Sequence, residues 1–327
     1  MMACKWRITN GDLYMLTYRY MANVTYLIGV CTLLLAAGCV NTSEERLNVS
    51  KPPSAWVDAC KDWDDWSKPA PPFQIYGNSY YVGTCGITSV LITGSEGHIL
   101  IDGATEAGAD VIVDNIHTLG FSIKDVRRLL HSHEHFDHVA GLAKLQKLSG
   151  AKLLASAEAA PALRTGKAID EDPQAGMMHE PFPVSRVDGI VTDGEGVVLG
   201  DLLLMPLATP GHTPGALSWQ WTSCVDEQCL PIVFADSLSA VSHEEYYFSD
   251  HEEYVDSYKK GIEKLASLDC QIIVSSHPSS SKMRDRLLSP EGLVDSRACE
   301  TYAAKALRFL EKRLLKEQLV KAGRVKS

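Results

Sequence analysis

The stretch His131-Ser132-His133-Glu134-His135-Phe136-Asp137-His138 places four candidate metal ligands, three histidines and one aspartate, between His133 and His138. Imidazole and carboxylate groups together suit zinc better than calcium or magnesium, which prefer shells made only of oxygen. Upstream, Val126-Arg127-Arg128-Leu129-Leu130 predicts a short buried strand, and residues 139–148 have the apolar spacing of a helix. The ligands are therefore expected on a loop at the carboxyl end of a strand, where α/β folds place their chemistry.

Two further histidines stand in similar loop contexts downstream. One is His212 in Thr209-Pro210-Gly211-His212-Thr213-Pro214-Gly215, and the other is His277 in Ser275-Ser276-His277-Pro278. The chain thus supplies six candidate ligands, enough for three at each of two zinc ions. Asp102, at the end of a predicted strand, is expected to orient the zinc loop rather than to bind metal. Residues 166–184 lack a clear period and are expected to rim the site, and His179 within them is not assigned as a ligand.

The order His-x-His-x-Asp-His, Gly-His and a late histidine resembles the metallo-β-lactamase superfamily. Within that superfamily, residues 72–78, the stretch Ala235-Asp236-Ser237-Leu238-Ser239 and the turn His277-Pro278-Ser279 resemble subclass B3. A serine where subclass B1 enzymes carry a cysteine ligand favours the same subclass. The resemblance extends over residues 55–315, which is most of the mature chain.

The resemblance implies an α/β fold, the αββα sandwich, in which two mixed sheets lie face to face with helices outside. The predicted order of strands followed by a helix, which occurs twice, agrees with that architecture. The resemblance also implies the residues of the site. A first zinc would be bound by His133, His135 and His212, and a second by Asp137, His138 and His277. Asp137 would also be the catalytic residue that orients the hydroxide, and Ser237 and Ser239 would bind the substrate carboxylate.

The function implied is a zinc-dependent β-lactamase. Zinc-bound hydroxide would attack the β-lactam amide of penicillins, cephalosporins and carbapenems, and the activity would confer antibiotic resistance. The main alternative is a related dizinc hydrolase, a lactonase or a glyoxalase-II-like thioesterase, in which a late aspartate bridges the two metals. In the B3 pattern Asp236 is not a ligand, so this residue separates the two hypotheses. A third hypothesis is a surface zinc-binding or adhesive lipoprotein. It is disfavoured because a binding role needs no open coordination position.

Composition restricts the class of partner. The chain has 327 residues with 45% hydrophobic content, enough for one large globular domain or two small ones. Its 31 basic residues face 41 acidic ones, which argues against nucleic acid because phosphate contacts need Lys and Arg. We therefore expect no nucleic-acid partner. The resemblance implies β-lactam antibiotics as substrates, and we expect a monomer.

The amino terminus has the pattern of an export signal. Lys5, Arg7 and Arg19 precede an apolar run over residues 26–38, too short to span a bilayer but typical of a signal-peptide core. The run ends in Leu35-Ala36-Ala37-Gly38-Cys39, which resembles a bacterial lipoprotein cleavage site, although Ala36 stands where Leu is more frequent. Ordinary cleavage near residues 36–38 is the alternative.

These features divide the chain into a signal peptide over residues 1–38, a tether over residues 39–55 and a metallo-β-lactamase domain over residues 56–327. Both cleavage alternatives imply export to the periplasm of a Gram-negative bacterium. The protein would be soluble there or anchored to the membrane through lipidated Cys39.

Nine cysteines are present, and six of them follow the targeting segment. An even number in an oxidising compartment predicts disulfides, although six cysteines allow 15 pairings. Spacing favours Cys224 with Cys229, which flank a short acidic turn. The resemblance implies the other two pairs, Cys60 with Cys85 and Cys270 with Cys299.

Three further expectations concern local structure. Trp56, Trp63 and Trp66 follow one another at near-helical spacing and are expected to form a hydrophobic clamp on the main core. Residues 87–93 predict a strand, and residues 105–119 predict a helix that stops at a glycine.

Overall fold

Two mixed β-sheets lie face to face in the computed structural model, which describes residues 53–177 and 181–324. One sheet has seven strands in the order β1-β2-β3-β4-β5-β6-β7, and the other has five in the order β12-β11-β10-β9-β8. The strands are β1 (Phe73–Tyr76), β2 (Ser79–Tyr81), β3 (Val90–Gly94), β4 (Gly97–Ile101), β5 (Val126–Leu130), β6 (Lys152–Ala155), β7 (Val187–Ile190), β8 (Val197–Leu199), β9 (Leu202–Ala208), β10 (Leu217–Val225), β11 (Gln228–Ala235) and β12 (Ile272–Ser275). Strands β4 to β7 are parallel, as are β11 and β12, and the other pairs are antiparallel.

Alternate residues of the strands fill the space between the sheets. Val90 and Ile92 of β3 join the central core, whereas Leu91 between them belongs to the outer core of the same sheet. Trp219 of β10 and Phe234 of β11 meet the central core from the opposite sheet. This two-residue alternation follows from the pleat, which turns successive side chains to opposite faces.

Helices cover both outer faces. They are α1 (Pro53–Ala59), α2 (Gly108–Thr118), α3 (Phe136–Val139), α4 (Leu142–Ser149), α5 (Ala160–Thr165), α6 (Glu252–Ala266), α7 (Met283–Leu288) and α8 (Ala298–Lys321). Helices α2 and α4 bury Ile112 and Leu145 against the seven-stranded sheet, and α6 and α8 bury Ile262 and Leu310 against the five-stranded sheet. The four layers confirm the predicted αββα sandwich.

Two predicted elements begin later than expected. Strand β3 starts at Val90 rather than residue 87, because the Thr88 N–H donates to the Ser276 carbonyl (2.8 Å), outside the ladder. Helix α2 starts at Gly108, whose N–H donates to Thr105 Oγ1 (3.0 Å) in a preceding turn.

The predicted tryptophan clamp is wrong for two of its three members. Trp56 is buried in α1, but that helix ends at Ala59, so the helical spacing does not continue. Trp63 and Trp66 are 67% and 42% exposed. Their rings lie 6.2 and 6.0 Å from the ring of His277, so they stand beside the candidate site instead of the core.

Several expectations concern residues outside the described ranges. They are the signal peptide at residues 1–38, Cys39, the tether up to residue 52, and His179. Within the ranges that the structure covers, no helix is both long and apolar enough to span a membrane. The six remaining cysteines lie in the expected pairs within bonding distance, Cys60 with Cys85, Cys224 with Cys229 and Cys270 with Cys299.

Candidate metal centre

Loops from both sheets meet at one edge of the sandwich and carry the six predicted ligands. His133 and His135 follow β5, and Asp137 and His138 lie in the short helix α3 directly after them. The other two histidines come from the five-stranded sheet: His212 lies between β9 and β10, and His277 follows β12. Gly211 is required in its loop because the ring of Tyr258 occupies the place that a Cβ would take.

The first predicted triad, His133, His135 and His212, forms one buried cluster. One donor atom of each residue lies within 4.8 Å of the others. The ring centroids are 5.0 Å apart for His133 and His135, 4.7 Å for His133 and His212, and 4.8 Å for His135 and His212. The Nε2 atom of His133 is buried and has no hydrogen-bond partner, so it is free to coordinate a metal.

The second predicted triad, Asp137, His138 and His277, is equally tight. Oδ2 of Asp137 lies 3.2 Å from His138 Nε2 and 3.5 Å from His277 Nε2, and the two Nε2 atoms are 3.3 Å apart. Tetrahedral zinc with bonds of about 2.0–2.1 Å holds its donors about 3.3–3.4 Å apart. The three donors therefore fit one zinc ion. Asp137 and His138 also lie within 4.8 Å of His133, because the two triads adjoin.

The second nitrogen of every one of these five rings meets a fixed acceptor. His133 Nδ1 lies 2.8 Å from the Asp236 carboxylate, and the hydrogen-bonded acceptors of the other four rings are Asp172 for His135 (2.9 Å), Asp102 for His138 (3.0 Å), the Ser239 carbonyl for His212 (3.0 Å) and the Gly86 carbonyl for His277 (3.1 Å). Such contacts fix the tautomer and the orientation of a ring, which leaves its other nitrogen turned toward the centre.

Asp102 holds the motif loop as expected. Its carboxylate accepts hydrogen bonds from the Ser132 N–H (2.6 Å) and the Ser132 hydroxyl (2.7 Å), in addition to its contact with His138. It adopts a left-handed backbone conformation with φ of 62°. Aspartate tolerates that conformation better than most residues.

Asp236 lies behind His133. One carboxylate oxygen faces His133 Nδ1, and the other accepts from the Leu238 N–H at 3.3 Å. Burial raises the pKa of Asp236 to about 7. The carboxylate contacts a candidate ligand from its outer side, which is a positioning role.

Electrostatics at the site suit a cation. Burial lowers the pKa of His133, that of His212 to about 3 and that of His277 to about 4, so these rings are neutral, as metal ligands must be. Burial opposes ionisation of Asp137, but His138 and His277 beside it hold its pKa well below the usual range. Burial also lowers the pKa of His138, yet Asp137 and Asp102 together raise it to about 10. The two carboxylates thus favour positive charge at this point.

Two buried carboxylates that support the ligand loops were not anticipated. Glu134, fully buried inside the motif, accepts hydrogen bonds from the Thr213 hydroxyl (2.7 Å) and the Gly215 N–H (2.9 Å), and burial raises its pKa. Asp172 comes from the irregular segment that was expected to rim the site. The irregularity of that segment was the only sequence signal for Asp172, and Glu134 gave none.

Ser237 and Ser239 line a cavity of about 330 Å³ together with His212 and His277. The Ser237 hydroxyl lies 2.8 Å from the Ser276 hydroxyl, and the Ser239 hydroxyl lies 2.9 Å from His212 Nδ1. Both serines therefore lie beside the ligand cluster, although each hydroxyl has a protein partner.

Comparison with known proteins agrees with this geometry. The domain model of the metallo-beta-lactamase superfamily matches residues 82–225. The solved MIM-2 metallo-beta-lactamase is 53% identical, with 82% of this chain and 98% of that chain covered and a TM-score of 0.78. MIM-1 from Novosphingobium pentaromativorans is 43% identical, with 81% and 98% covered and a TM-score of 0.78. MEM-A1, a subclass B3 enzyme from a soil metagenome library, is 40% identical, with 78% and 99% covered and a TM-score of 0.74.

Curated relatives are more distant. A hydroxyacylglutathione hydrolase of Bradyrhizobium sp. (strain ORS 278) is 28% identical over 130 residues, which are 38% of this chain and 42% of that protein. A hydroxyacylglutathione hydrolase of Methylobacterium sp. (strain 4-46) is 34% identical over 107 residues, covering 33% and 32%. The chain thus spans less than half the length of these relatives.

Proposed function

Because the chain belongs to the metallo-beta-lactamase superfamily, and to its subclass B3, we propose that it is a zinc-dependent β-lactamase acting in antibiotic resistance. Its substrates would be penicillins, cephalosporins and carbapenems. The observation that carries the proposal is the pair of adjoining three-donor clusters beside an open cavity. Three protein ligands on each zinc would leave positions free for water and substrate, as in catalytic sites.

The residues have distinct proposed roles. His133, His135 and His212 would hold a first zinc, and Asp137, His138 and His277 would hold a second. When bound, zinc lowers the pKa of water to about 7 and polarises the lactam carbonyl. Asp137, ionised at neutral pH, would accept a hydrogen bond from the attacking water and so orient it. Ser237 and Ser239 would donate hydrogen bonds to the substrate carboxylate.

A thioesterase is the second candidate, since the curated relatives are hydroxyacylglutathione hydrolases. That hypothesis requires Asp236 to bridge two metals. The contact of its carboxylate with His133 Nδ1, the outer side of that ring, supports the β-lactamase instead.

Hydrolysis assays with nitrocefin, meropenem and a hydroxyacylglutathione thioester test the proposal. We expect the purified protein to open both β-lactams, to lose activity in a chelator and to regain it with zinc. His212→Ala should lose most of the activity, because the first zinc would keep two protein ligands of three. Thioester hydrolysis without β-lactam hydrolysis would replace the proposal with the second candidate.

The remaining parts of the proposal concern cofactor, location and assembly. We propose two zinc ions per chain, three disulfides, export to the periplasm in a soluble or lipid-anchored form, and a monomer. The pairwise positions of the six cysteines support the disulfides. The apolar run ahead of Cys39 supports export.

A further inference from the structure

The cavity beside the ligand cluster is lined by one cationic side chain. Lys305 of α8 lines this cavity together with His212, His277, Ser237 and Ser239. Among the described residues that line it, Lys305 is the single lysine or arginine, and none is aspartate or glutamate. The chain as a whole has a net charge of −10, so this cation differs in sign from the overall charge of the protein.

Helix α8 is firmly placed beside this cavity. The hydroxyl of Tyr302, one turn before Lys305, donates to the carbonyls of Asp236 (2.7 Å) and Ser237 (3.1 Å). These contacts fix α8 against the turn that carries both serines. Residues three apart on a helix are neighbours on its surface, so Lys305 follows Tyr302 along the same face.

The ammonium of Lys305 keeps donor capacity for a ligand. Nζ donates to the Ser280 carbonyl at 3.0 Å, and no carboxylate of the described residues lies within 4.0 Å of it. An ammonium has three N–H donors, so two remain. Burial, and then the charge of Lys282, lower the pKa of Lys305.

The two serines are less available than the lysine. The Ser237 hydroxyl is shared with Ser276, and the Ser239 hydroxyl contacts His212. Neither carries a charge. An anion entering the cavity would therefore find its electrostatic partner in Lys305 and only secondary hydrogen bonds from the serines.

We propose that Lys305 binds the carboxylate of β-lactam substrates and thereby determines specificity for anionic β-lactams. In penicillins, cephalosporins and carbapenems, that carboxylate is attached to the carbon next to the lactam nitrogen. Binding it at α8 would place the lactam bond toward His212 and His277, which line the same cavity. This inference rests on the proposed β-lactamase function.

Substrate pairs test the role directly. A cephalosporin and its methyl ester, which lacks the negative charge, would be compared in the wild-type protein, Lys305→Gln and Lys305→Arg. For the free acid, Lys305→Gln should raise KM about 5- to 30-fold with little change in kcat. This fold-change lies between the effect of losing an exposed ion pair and that of losing a hydrogen bond to a charged group. Lys305→Arg should stay within about 3-fold of the wild type because it keeps the charge. For the ester, the three proteins should have similar KM.

Arg308→Gln is the matched control. Lys305 lines both the cavity beside the metal ligands and the neighbouring one, whereas Arg308, also on α8, lines only the neighbouring one, so KM for the free acid should not change in Arg308→Gln. An unchanged KM in Lys305→Gln, or an equal rise for acid and ester, would overturn the role of Lys305 while leaving the enzyme a β-lactamase. A wild-type protein that hydrolyses no β-lactam would overturn both.

Discussion

At the residue scale, the six candidate ligands stand in local sequence patterns, whereas most of the groups that support them do not. Histidines and aspartate at fixed spacing after a strand are a local pattern, because one loop must aim several donors at one point. The acceptors behind the rings are not local: Asp236 reaches His133 and Gly86 reaches His277 only after the two sheets have come together. Asp102 was the exception, since it ends the strand beside the motif.

The position of Asp236 gives a prediction about metal binding. We expect Asp236→Asn to retain two zinc ions per chain at saturating zinc, because Asp236 lies beside Nδ1 of His133 and an amide can occupy the same place. Zinc affinity should fall about 10- to 100-fold, as is usual when the support of a ligand is altered. Elemental analysis and competition with a chelator would measure both quantities.

Asp201→Asn is the matched control for that experiment. Asp201 accepts hydrogen bonds from Ser95, away from the ligand cluster, so the change should leave zinc content and affinity as in the wild type. A metal content below two in Asp236→Asn at saturating zinc would identify Asp236 as a ligand and favour the thioesterase.

At the element scale, strands with clear alternation were predicted well and irregular connections less so. The bounds of β5 agree with the strand predicted at residues 126–130. The start of β3 was misplaced because Thr88 bonds to the loop of His277 rather than to a strand. No sequence period encodes a hydrogen bond to a loop almost two hundred residues away.

Glu134 joins two of these loops and gives a second prediction. Its carboxylate links the loop after β5 to the loop between β9 and β10, which carries His212. Glu134→Ala would leave the buried Gly215 N–H and Thr213 hydroxyl without partners. We expect the free energy of unfolding to fall by about 2–4 kcal/mol and zinc affinity to fall with it, because one to three kcal/mol is lost for each stranded group.

Thr213→Val serves as the comparison, since it removes one of the two hydrogen bonds and keeps the shape of the side chain. It should cost about 1–2 kcal/mol and affect zinc less. Denaturant unfolding with and without zinc would measure these effects. Equal stability of Glu134→Ala and the wild type would refute the structural role of Glu134.

At the scale of the whole molecule, the four-layer architecture could be anticipated because strands followed by a helix occur twice along the chain. The attachment of the residues after α1 to the sandwich could not be anticipated. The Arg284 guanidinium donates to the Cys60 carbonyl at 3.1 Å, which attaches the segment after α1 to α7. That segment brings Trp63 and Trp66 beside His277, although their spacing had suggested a core helix.

The last prediction concerns the disulfide that would hold this segment. Cys60 and Cys85 are 25 residues apart, and Cys224 and Cys229 only five. In the chain-entropy model, closing the longer loop contributes about 3.5 kcal/mol and the shorter one about 2 kcal/mol. We therefore expect Cys60→Ser/Cys85→Ser to lower the free energy of unfolding more than Cys224→Ser/Cys229→Ser does.

Peptide mass spectrometry without reduction should find both bonds in the wild-type protein, and denaturant unfolding would rank the two double variants. The longer bond should also matter for activity, since its loss frees the segment that places Trp63 and Trp66 beside His277. The shorter bond closes the β10–β11 hairpin, whose register is already set by backbone pairing from Trp219 to Val225, so its loss should leave kcat/KM unchanged. Free thiols at Cys60 and Cys85 in the native protein would contradict this account, because backbone contacts alone would then have to hold the segment in place.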